Sequence, residues 1–172
     1  MNVHEMLLAY QTINETRLTK IHLLLGDENF SPIKQLIEPP DAELPSKVPT
    51  LQPEHYRKIT PFLKARFEYA GAWKEADAGH EWLGLKQMET VLREASVLEQ
   101  IRARSEIWSD SPLVQMPPSR ISLFGLYRDQ AEEIYLIWPA VDGDEPEILS
   151  YGGNYESMFS DFAQYLNYLI EG

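Results

Sequence analysis

Apolar and polar positions in the last third of the chain predict three short strands followed by a helix. The predicted strands are Ile121–Tyr127, Glu133–Trp138 and Glu147–Tyr151. Between Glu156 and Ile170 the apolar positions recur at helical spacing and form a single stripe. Asn154 or Ser157 is the predicted N-cap of this helix, because a short polar side chain satisfies the free N–H groups of a first turn.

Apolar stripes at helical period also predict helices through much of the upstream chain. The predicted helices are residues 2–25, Ile33–Ile37, Pro53–Ala70 and Lys86–Trp108. The stripe of the first helix shifts in phase near Asn14, which leaves open a bend or two separate helices. Ser31 and Pro32 supply cap and first-turn chemistry for the second helix. The third is split at Pro61, with Thr60 as the predicted N-cap.

The segments between these helices predict loops and two further strands. Five prolines in residues 38–53 indicate an extended strap, because each proline removes a backbone donor and keeps its predecessor out of the helical region. Ala72–Trp73 is predicted to begin an edge strand, Lys74–Gly79 to form a turn, and Glu81–Leu85 to form a short strand. Residues 109–119 are a second proline-containing loop.

Short connections in the last third set the predicted sheet topology. Five residues separate the first two strands and a short acidic turn separates the next two, so neighbouring strands are expected to be antiparallel. Both faces of Glu133–Trp138 are apolar, which predicts a central strand. The fold class is therefore α+β, as one domain with an antiparallel sheet packed against helices. We divide it into N-terminal helices and strap, residues 1–50, and a core, residues 51–172.

Composition narrows the class of protein. The chain has 172 residues, 44% of them hydrophobic, which is typical of a folded globular domain. Cysteine is absent, so disulfides, a cysteine nucleophile and thiolate metal sites are excluded. The apolar runs are shorter than the ~20 residues of a membrane span, and the N-terminus lacks the pattern of a secretory signal. We therefore expect a cytoplasmic protein.

Negative charge is concentrated at one end of the chain. The net charge is −12, and residues 129–172 contain ten acidic residues and no Lys or Arg. This balance argues against nucleic acid or an anionic membrane as a ligand, because both require a basic surface.

Seven acidic residues of the predicted sheet form the candidate partner-binding site. They are Asp129, Glu132, Glu133, Asp142, Asp144, Glu145 and Glu147. The turns that carry them lie at opposite ends of the sheet, so they are expected to spread along it rather than to form one compact spot. Two interpretations stay open. The first is a solvated surface that favours solubility, and the second is a docking face for a basic protein.

Motifs for catalysis and cofactor binding are absent from the sequence. The four histidines do not occur in zinc-binding spacing, and Asp142–Glu147 does not match a calcium loop. There is no nucleophile elbow, phosphate loop or dinucleotide-binding fingerprint. The sequence therefore predicts no enzyme, no metal and no cofactor. The aromatic residues Trp73, Trp82, Trp138, Tyr151 and Tyr155 are expected in or near the core, and any exposed one would be an interface anchor.

Several segments resemble the SUKH superfamily over residues 50–170. The strands around Ile121–Leu126 and Glu133–Trp138, the Glu145-Pro-Glu-Ile turn and Phe159-Ser-Asp-Phe-Ala-Gln-Tyr-Leu are similar to its C-terminal half. Leu51-Gln-Pro-Glu-His-Tyr with Phe62-Leu63, and Trp82–Met88, are similar to its earlier motifs.

The resemblance implies a single α+β domain that binds other proteins and is not an enzyme. Its members include immunity proteins that block bacterial toxins, Syd-like proteins and Smi/Knr-like fungal cell-wall regulators. The leading hypothesis is an immunity protein that neutralises a basic toxin, such as a nuclease or another nucleic-acid-acting domain. The alternative is a regulatory adaptor of the Smi/Knr or Syd type. The oligomeric state stays open.

Overall fold

The computed structural model describes residues 1–25, 33–77, 79–152 and 155–172. Within these ranges the chain forms six α-helices and nine strands. The helices are α1 Val3–Leu25, α2 Pro61–Tyr69, α3 Leu85–Val91, α4 Ala95–Ile107, α5 Pro112–Gln115 and α6 Phe162–Glu171. The strands are β1 Leu36–Ile37, β2 Lys47–Pro49, β3 Tyr56–Lys58, β4 Trp73–Asp77, β5 His80–Trp82, β6 Ile121–Tyr127, β7 Glu132–Ile137, β8 Glu147–Gly152 and β9 Tyr155–Phe159.

A seven-stranded antiparallel sheet forms the centre of the molecule, in the order β1-β4-β5-β6-β7-β8-β9. Every neighbouring pair is antiparallel, and β2 and β3 form a separate two-stranded sheet. The predicted α+β class with an antiparallel sheet packed against helices is confirmed. Residues 133–138 are all buried, so the prediction of a central, doubly covered strand for β7 is also confirmed.

One face of the sheet packs against α1, α2 and α6 through aromatic side chains. Trp82 of β5 contacts Tyr10 of α1, with ring centroids 5.7 Å apart, and Phe162 of α6, also at 5.7 Å. Arg66 of α2 lies over the same tryptophan ring at 5.6 Å. Aromatic side chains bury large apolar areas and favour stacked or edge contacts such as these, so they fix how the helices sit on the sheet.

The opposite face is covered by α4 and the segment after it. Trp108 packs on Tyr151 of β8 with ring centroids 5.7 Å apart, and the Arg104 guanidinium lies 4.6 Å from the centroid of the same ring. Ser111 is hydrogen-bonded to the Tyr151 hydroxyl. Both faces of β7 and β8 are therefore inside the protein.

Helix α1 is a single element, so the alternative of two separate helices, left open by the shift in its apolar stripe, is wrong. Asn14 occupies the position where an apolar residue would continue the stripe, and it is 3% exposed. Its amide nitrogen donates to the backbone oxygen of Glu75 at 2.7 Å and to Gln35 Oε1 at 3.2 Å. The phase shift marks a buried polar contact with β4 rather than a break.

Four predictions upstream of β5 are wrong. Leu36–Ile37 is a strand paired with β4 rather than part of a helix, while Ser31 and Pro32 lie outside the described residues. Residues 53–60 are not helical, because Tyr56–Lys58 pairs with Lys47–Pro49 of the strap. The segment predicted as a turn before Gly79 is mostly β4. The strand that begins at Trp73 is not an edge strand as predicted, because β4 lies between β1 and β5.

The predicted helix Lys86–Trp108 is two helices. Helix α3 ends at Val91 in two successive tight turns, in which the N–H groups of Arg93 and Glu94 donate three residues back. Val97 of α4 is 2% exposed, whereas its neighbour Leu98 is 50% exposed. One apolar stripe running unbroken through the predicted helix would bury Leu98. The break between α3 and α4 therefore changes which face of α4 is buried.

The predicted start of the last helix is also wrong. Residues Tyr155–Phe159 form β9, which pairs with β8 along its whole length. Helix α6 begins at Phe162, and the Asp161 carboxylate caps it by accepting a hydrogen bond of 2.8 Å from the Gln164 N–H. Ser157 lies within β9 and is not a cap, and Asn154 lies outside the described residues.

Candidate protein-binding surface

The seven candidate acidic residues lie on both ends of the sheet, as expected. Asp129, Glu132 and Glu133 belong to the turn between β6 and β7 or to the start of β7. Asp142, Asp144, Glu145 and Glu147 belong to the loop between β7 and β8 or to the start of β8. Successive hairpin turns of an antiparallel sheet lie at opposite ends of the strands, so the structure does not bring the seven together.

Glu133 is buried and takes no part in the molecular surface. Its carboxylate accepts hydrogen bonds from Arg104 Nε at 2.9 Å and from Gln100 Nε2 at 2.6 Å. Burial raises the pKa of Glu133 above its usual 4.5, and the bonds from Gln100 and Arg104 oppose that rise. This carboxylate ties β7 to α4, and it is not a contact for a partner.

Glu145 connects the loop between β7 and β8 to the first turn of α2. Its carboxylate accepts hydrogen bonds from Thr60 Oγ1 at 2.6 Å and from the Phe62 N–H at 2.8 Å. Burial raises the pKa of Glu145, and these two bonds oppose the rise. The first-turn N–H groups of a helix have no partner within the helix, so a carboxylate placed there stabilises the helix end.

Asp142 is exposed but paired. One of its carboxylate oxygens lies 2.8 Å from Arg57 Nη2. The same guanidinium nitrogen donates to the backbone oxygen of Pro139 at 2.8 Å, and the group lies 5.8 Å from the centroid of the Trp138 ring. The pair holds the loop between β7 and β8 against β3 and reduces the net negative charge of that loop.

Asp129, Asp144 and Glu147 are exposed, as Asp142 is. Within the described part of the chain, their side chains make no hydrogen bond or ion pair. Their charge is therefore directed into solvent at both ends of the sheet, where it can act on a partner.

Glu132 is half-buried beside a groove on the α6 side of the sheet. The groove has a volume of about 460 Å³ and is lined by Asp77, His80, Glu132, Ser150, Gly152, Tyr155, Glu156, Ser157, Phe159, Tyr165 and Tyr168. The Glu132 Oε2 atom lies 3.7 Å from His80 Nε2. On the neighbouring wall the Tyr165 hydroxyl donates to Asp77 Oδ2 at 2.7 Å.

Exposed aromatic side chains frame the same region. Tyr155 is 78% exposed and Tyr168 is 56% exposed, whereas Trp73, Trp82, Trp138 and Tyr151 are buried. Of the five aromatic residues expected in or near the core, Tyr155 is thus the one that meets the condition for an interface anchor. Sequence analysis did not identify Tyr168, Asp77 or His80 as site residues, because only the folded sheet brings β4, β8, β9 and α6 to one groove.

The described residues form neither a metal-binding cluster nor a membrane-spanning helix. No cluster of three or more metal-ligating side chains occurs in residues 1–25, 33–77, 79–152 and 155–172. None of the helices in these ranges has the length and apolar character needed to cross a membrane.

Comparison with protein-family models, with curated proteins and with solved structures finds no match for this chain. The resemblance to the SUKH superfamily stays a prediction that depends on the motifs described above.

Proposed function

We propose that this chain is a non-enzymatic immunity protein that acts in the cytoplasm by binding and neutralising a basic bacterial toxin. A nuclease or another nucleic-acid-acting domain is the proposed class of toxin, because such domains carry the basic surface that nucleic acid requires. The observation that supports the proposal best is the set of exposed carboxylates of Asp129, Asp144 and Glu147, which make no ion pair with the described residues, in a segment that lacks Lys and Arg.

Electrostatic steering is the physical advantage of this arrangement. Complementary fields raise association rates by roughly 10- to 10³-fold, and the effect falls with ionic strength. An inhibitor that must capture its toxin before the toxin acts benefits from a high association rate.

The test is charge reversal of the exposed carboxylates. In the triple variant Asp129→Lys, Asp144→Lys, Glu147→Lys the basic partner is expected to associate about tenfold or more slowly. Glu145, Glu133 and Asp142 are left intact because their carboxylates hold the fold together. The matched control is Glu15→Lys, Glu43→Lys, Glu106→Lys, which changes the net charge equally at exposed positions outside the segment.

The partner is identified by affinity capture from the native cell at low and high salt, with the wild type and both triple variants as bait. The proposal requires one basic protein that the wild type and the control retain and the reversed variant loses. That protein must arrest growth when expressed alone, and co-expression of this chain must restore growth. Capture of non-toxic cellular proteins would favour the regulatory adaptor, and equal capture by the reversed variant would exclude the acidic surface.

A further inference from the structure

The groove between β9 and α6 lies on the face of the sheet that α6 covers. Ser150 of β8 and Ser157 of β9 pair across the sheet, and both line the groove. Tyr165 and Tyr168 of α6 form one side. Strand β9 is at the edge of the sheet, so the groove can be reached by a side chain that approaches from outside.

The charge of the groove is negative. Asp77 and Glu132 contribute carboxylates, whereas the Glu156 carboxylate accepts from the Tyr151 hydroxyl on the other face of the sheet, and none of the described residues that line the groove is Lys or Arg. Carboxylates that converge in a concave site concentrate their field there and attract a cation. A solvated acidic surface would have the same property.

His80 distinguishes the groove from such a surface. It is 4% exposed, and its Nδ1 atom lies 2.8 Å from the backbone oxygen of Asp77. A carbonyl oxygen only accepts, so Nδ1 carries the proton, and Nε2 of the neutral ring is an acceptor. Nε2 has no hydrogen-bond partner among the described residues, and it lies 3.7 Å from Glu132 Oε2, beyond hydrogen-bond length. A buried nitrogen acceptor and a carboxylate oxygen thus converge where an N–H donor would bind both.

Aromatic rings complete the surroundings. Phe159 and Tyr165 line the groove, and the exposed rings of Tyr155 and Tyr168 stand at its opening. A planar guanidinium stacks on such rings and offers five N–H donors, whereas an ammonium is more strongly hydrated and cannot stack in the same way.

We propose that this groove binds an arginine side chain of the basic partner, with the guanidinium donating to Glu132 and His80 and stacking on Tyr155 or Tyr168. The identity of the arginine donor depends on the function proposed above, but the chemistry of the groove does not. A volume of about 460 Å³ lies within the ~300–1,000 Å³ range of small-ligand pockets, which leaves room for one long side chain.

The experiment uses short peptides as probes. The full chain is titrated with acetyl-Gly-Arg-Gly-amide, and amide chemical shifts are followed by NMR. We expect millimolar binding, with the largest shifts in β8, β9, α6 and the turn between β4 and β5. The same peptide with citrulline, which keeps the shape of arginine but loses the charge, is expected to bind at least tenfold more weakly. Equal binding of the citrulline peptide, equal binding of a lysine peptide, or shifts confined to other elements would overturn the assignment.

Variants separate the groove from the rest of the acidic surface. Glu132→Gln is expected to weaken binding of the arginine peptide about tenfold. Tyr155→Ala, at a position exposed enough to leave folding intact, is expected to weaken it about twofold to fivefold. Glu147→Gln makes the same charge change outside the groove and is expected to leave affinity within twofold. Unchanged affinity in both groove variants would refute the site.

The outcomes distinguish this inference from the proposed function. Peptide binding that requires Glu132, without any toxin captured by the wild type, would preserve the groove and refute the immunity function. Capture of a toxin that depends on Asp129, Asp144 and Glu147 while the peptide does not bind would preserve the function and refute the groove.

Discussion

Glu145 and Glu147 are two residues apart and carry the same charge, yet the structure predicts opposite consequences for their removal. Thr60 stands at the N-cap of α2, but its side chain does not cap its own helix. It donates instead to Glu145, and the second oxygen of Glu145 accepts from the Phe62 N–H. A residue 83 positions further along the chain therefore supplies the cap of α2. Glu147 is exposed, and its side chain makes no such bond with the described residues.

The cost of Glu145→Ala follows from these two bonds. Loss of a helix cap costs about 1 kcal/mol. The Thr60 hydroxyl is 1% exposed, and a buried polar group deprived of its partner costs about 1–3 kcal/mol. The sum is about 2–4 kcal/mol of unfolding free energy. In a domain of this length each kcal/mol lowers Tm by about 2–4 °C, so a fall of about 5–15 °C is expected.

Urea and thermal unfolding of Glu145→Ala, Glu147→Ala and the wild type test this prediction. Glu147→Ala is expected to stay within about 0.5 kcal/mol of the wild type, as exposed substitutions generally do. Glu145→Gln is expected to recover most of the loss, because an amide oxygen can accept from Phe62 and the amide nitrogen can donate to the Thr60 oxygen. Equal stability of the two alanine variants would show that Glu145 does not cap α2.

Three further predictions concern buried charge and exposed aromatic surface. Glu133→Ala leaves the Arg104 guanidinium without its carboxylate and is expected to cost about 3–5 kcal/mol in urea unfolding, with part of the loss recovered in the double variant Glu133→Ala, Arg104→Ala. Because burial raises the pKa of Glu133, the contribution of its carboxyl group to folding stability is fully present below the usual pKa of 4.5 and declines as the pH rises through the folded pKa. The stability of the wild type relative to Glu133→Gln is therefore expected to be greater at pH 4 than at pH 7. Arg66→Ala removes the donors to the carbonyls of Ala70 and Gly71 and leaves a cavity beside the Trp82 ring, so it is expected to cost about 3–5 kcal/mol. Tyr155→Ala, at an exposed position, is expected to change stability by less than about 0.5 kcal/mol. Thermal unfolding of both variants measures the difference as a shift in Tm.

The sequence allowed β6, β7 and β8 to be predicted because their connections are short and their apolar runs are bounded by turns. It did not allow β9 to be distinguished from the start of α6. Met158 and Phe159 fit a helical stripe, but Phe159 also alternates with Ser157 and Tyr155 on one face of a strand. The choice is made by pairing with β8, a tertiary contact that local periodicity does not report.

In helix α1 the sequence pattern shows an interruption, but the helix in the structure is continuous. A polar residue in an apolar stripe normally indicates that a helix turns away from the core. Asn14 stays in the core because the Glu75 carbonyl and the Gln35 side chain accept from its amide. Those acceptors lie 61 and 21 residues away, and the sequence near Asn14 does not indicate them.

The acidic residues of the candidate site could be identified from the sequence, but which of them lie on the surface could not. Glu132 and Glu133 are neighbours on β7, so their side chains point to opposite faces of the sheet. Glu132 reaches the groove beside α6, whereas Glu133 is enclosed under α4. The sequence did hold a partial signal: a strand with two apolar faces leaves no solvated side for an acidic residue within it.

The positions of the exposed carboxylates constrain the proposed partner. Asp129 lies beyond one end of β7, and Asp144 and Glu147 lie beyond the other end. A strand of six residues spans roughly 17–20 Å, which exceeds the Debye length of about 8 Å at physiological ionic strength. The two ends therefore attract charge almost independently. A short basic peptide would engage one end, whereas a folded domain with an extended basic surface, such as one that follows a nucleic-acid backbone, would engage both ends and place an arginine in the groove at the Asp129 end.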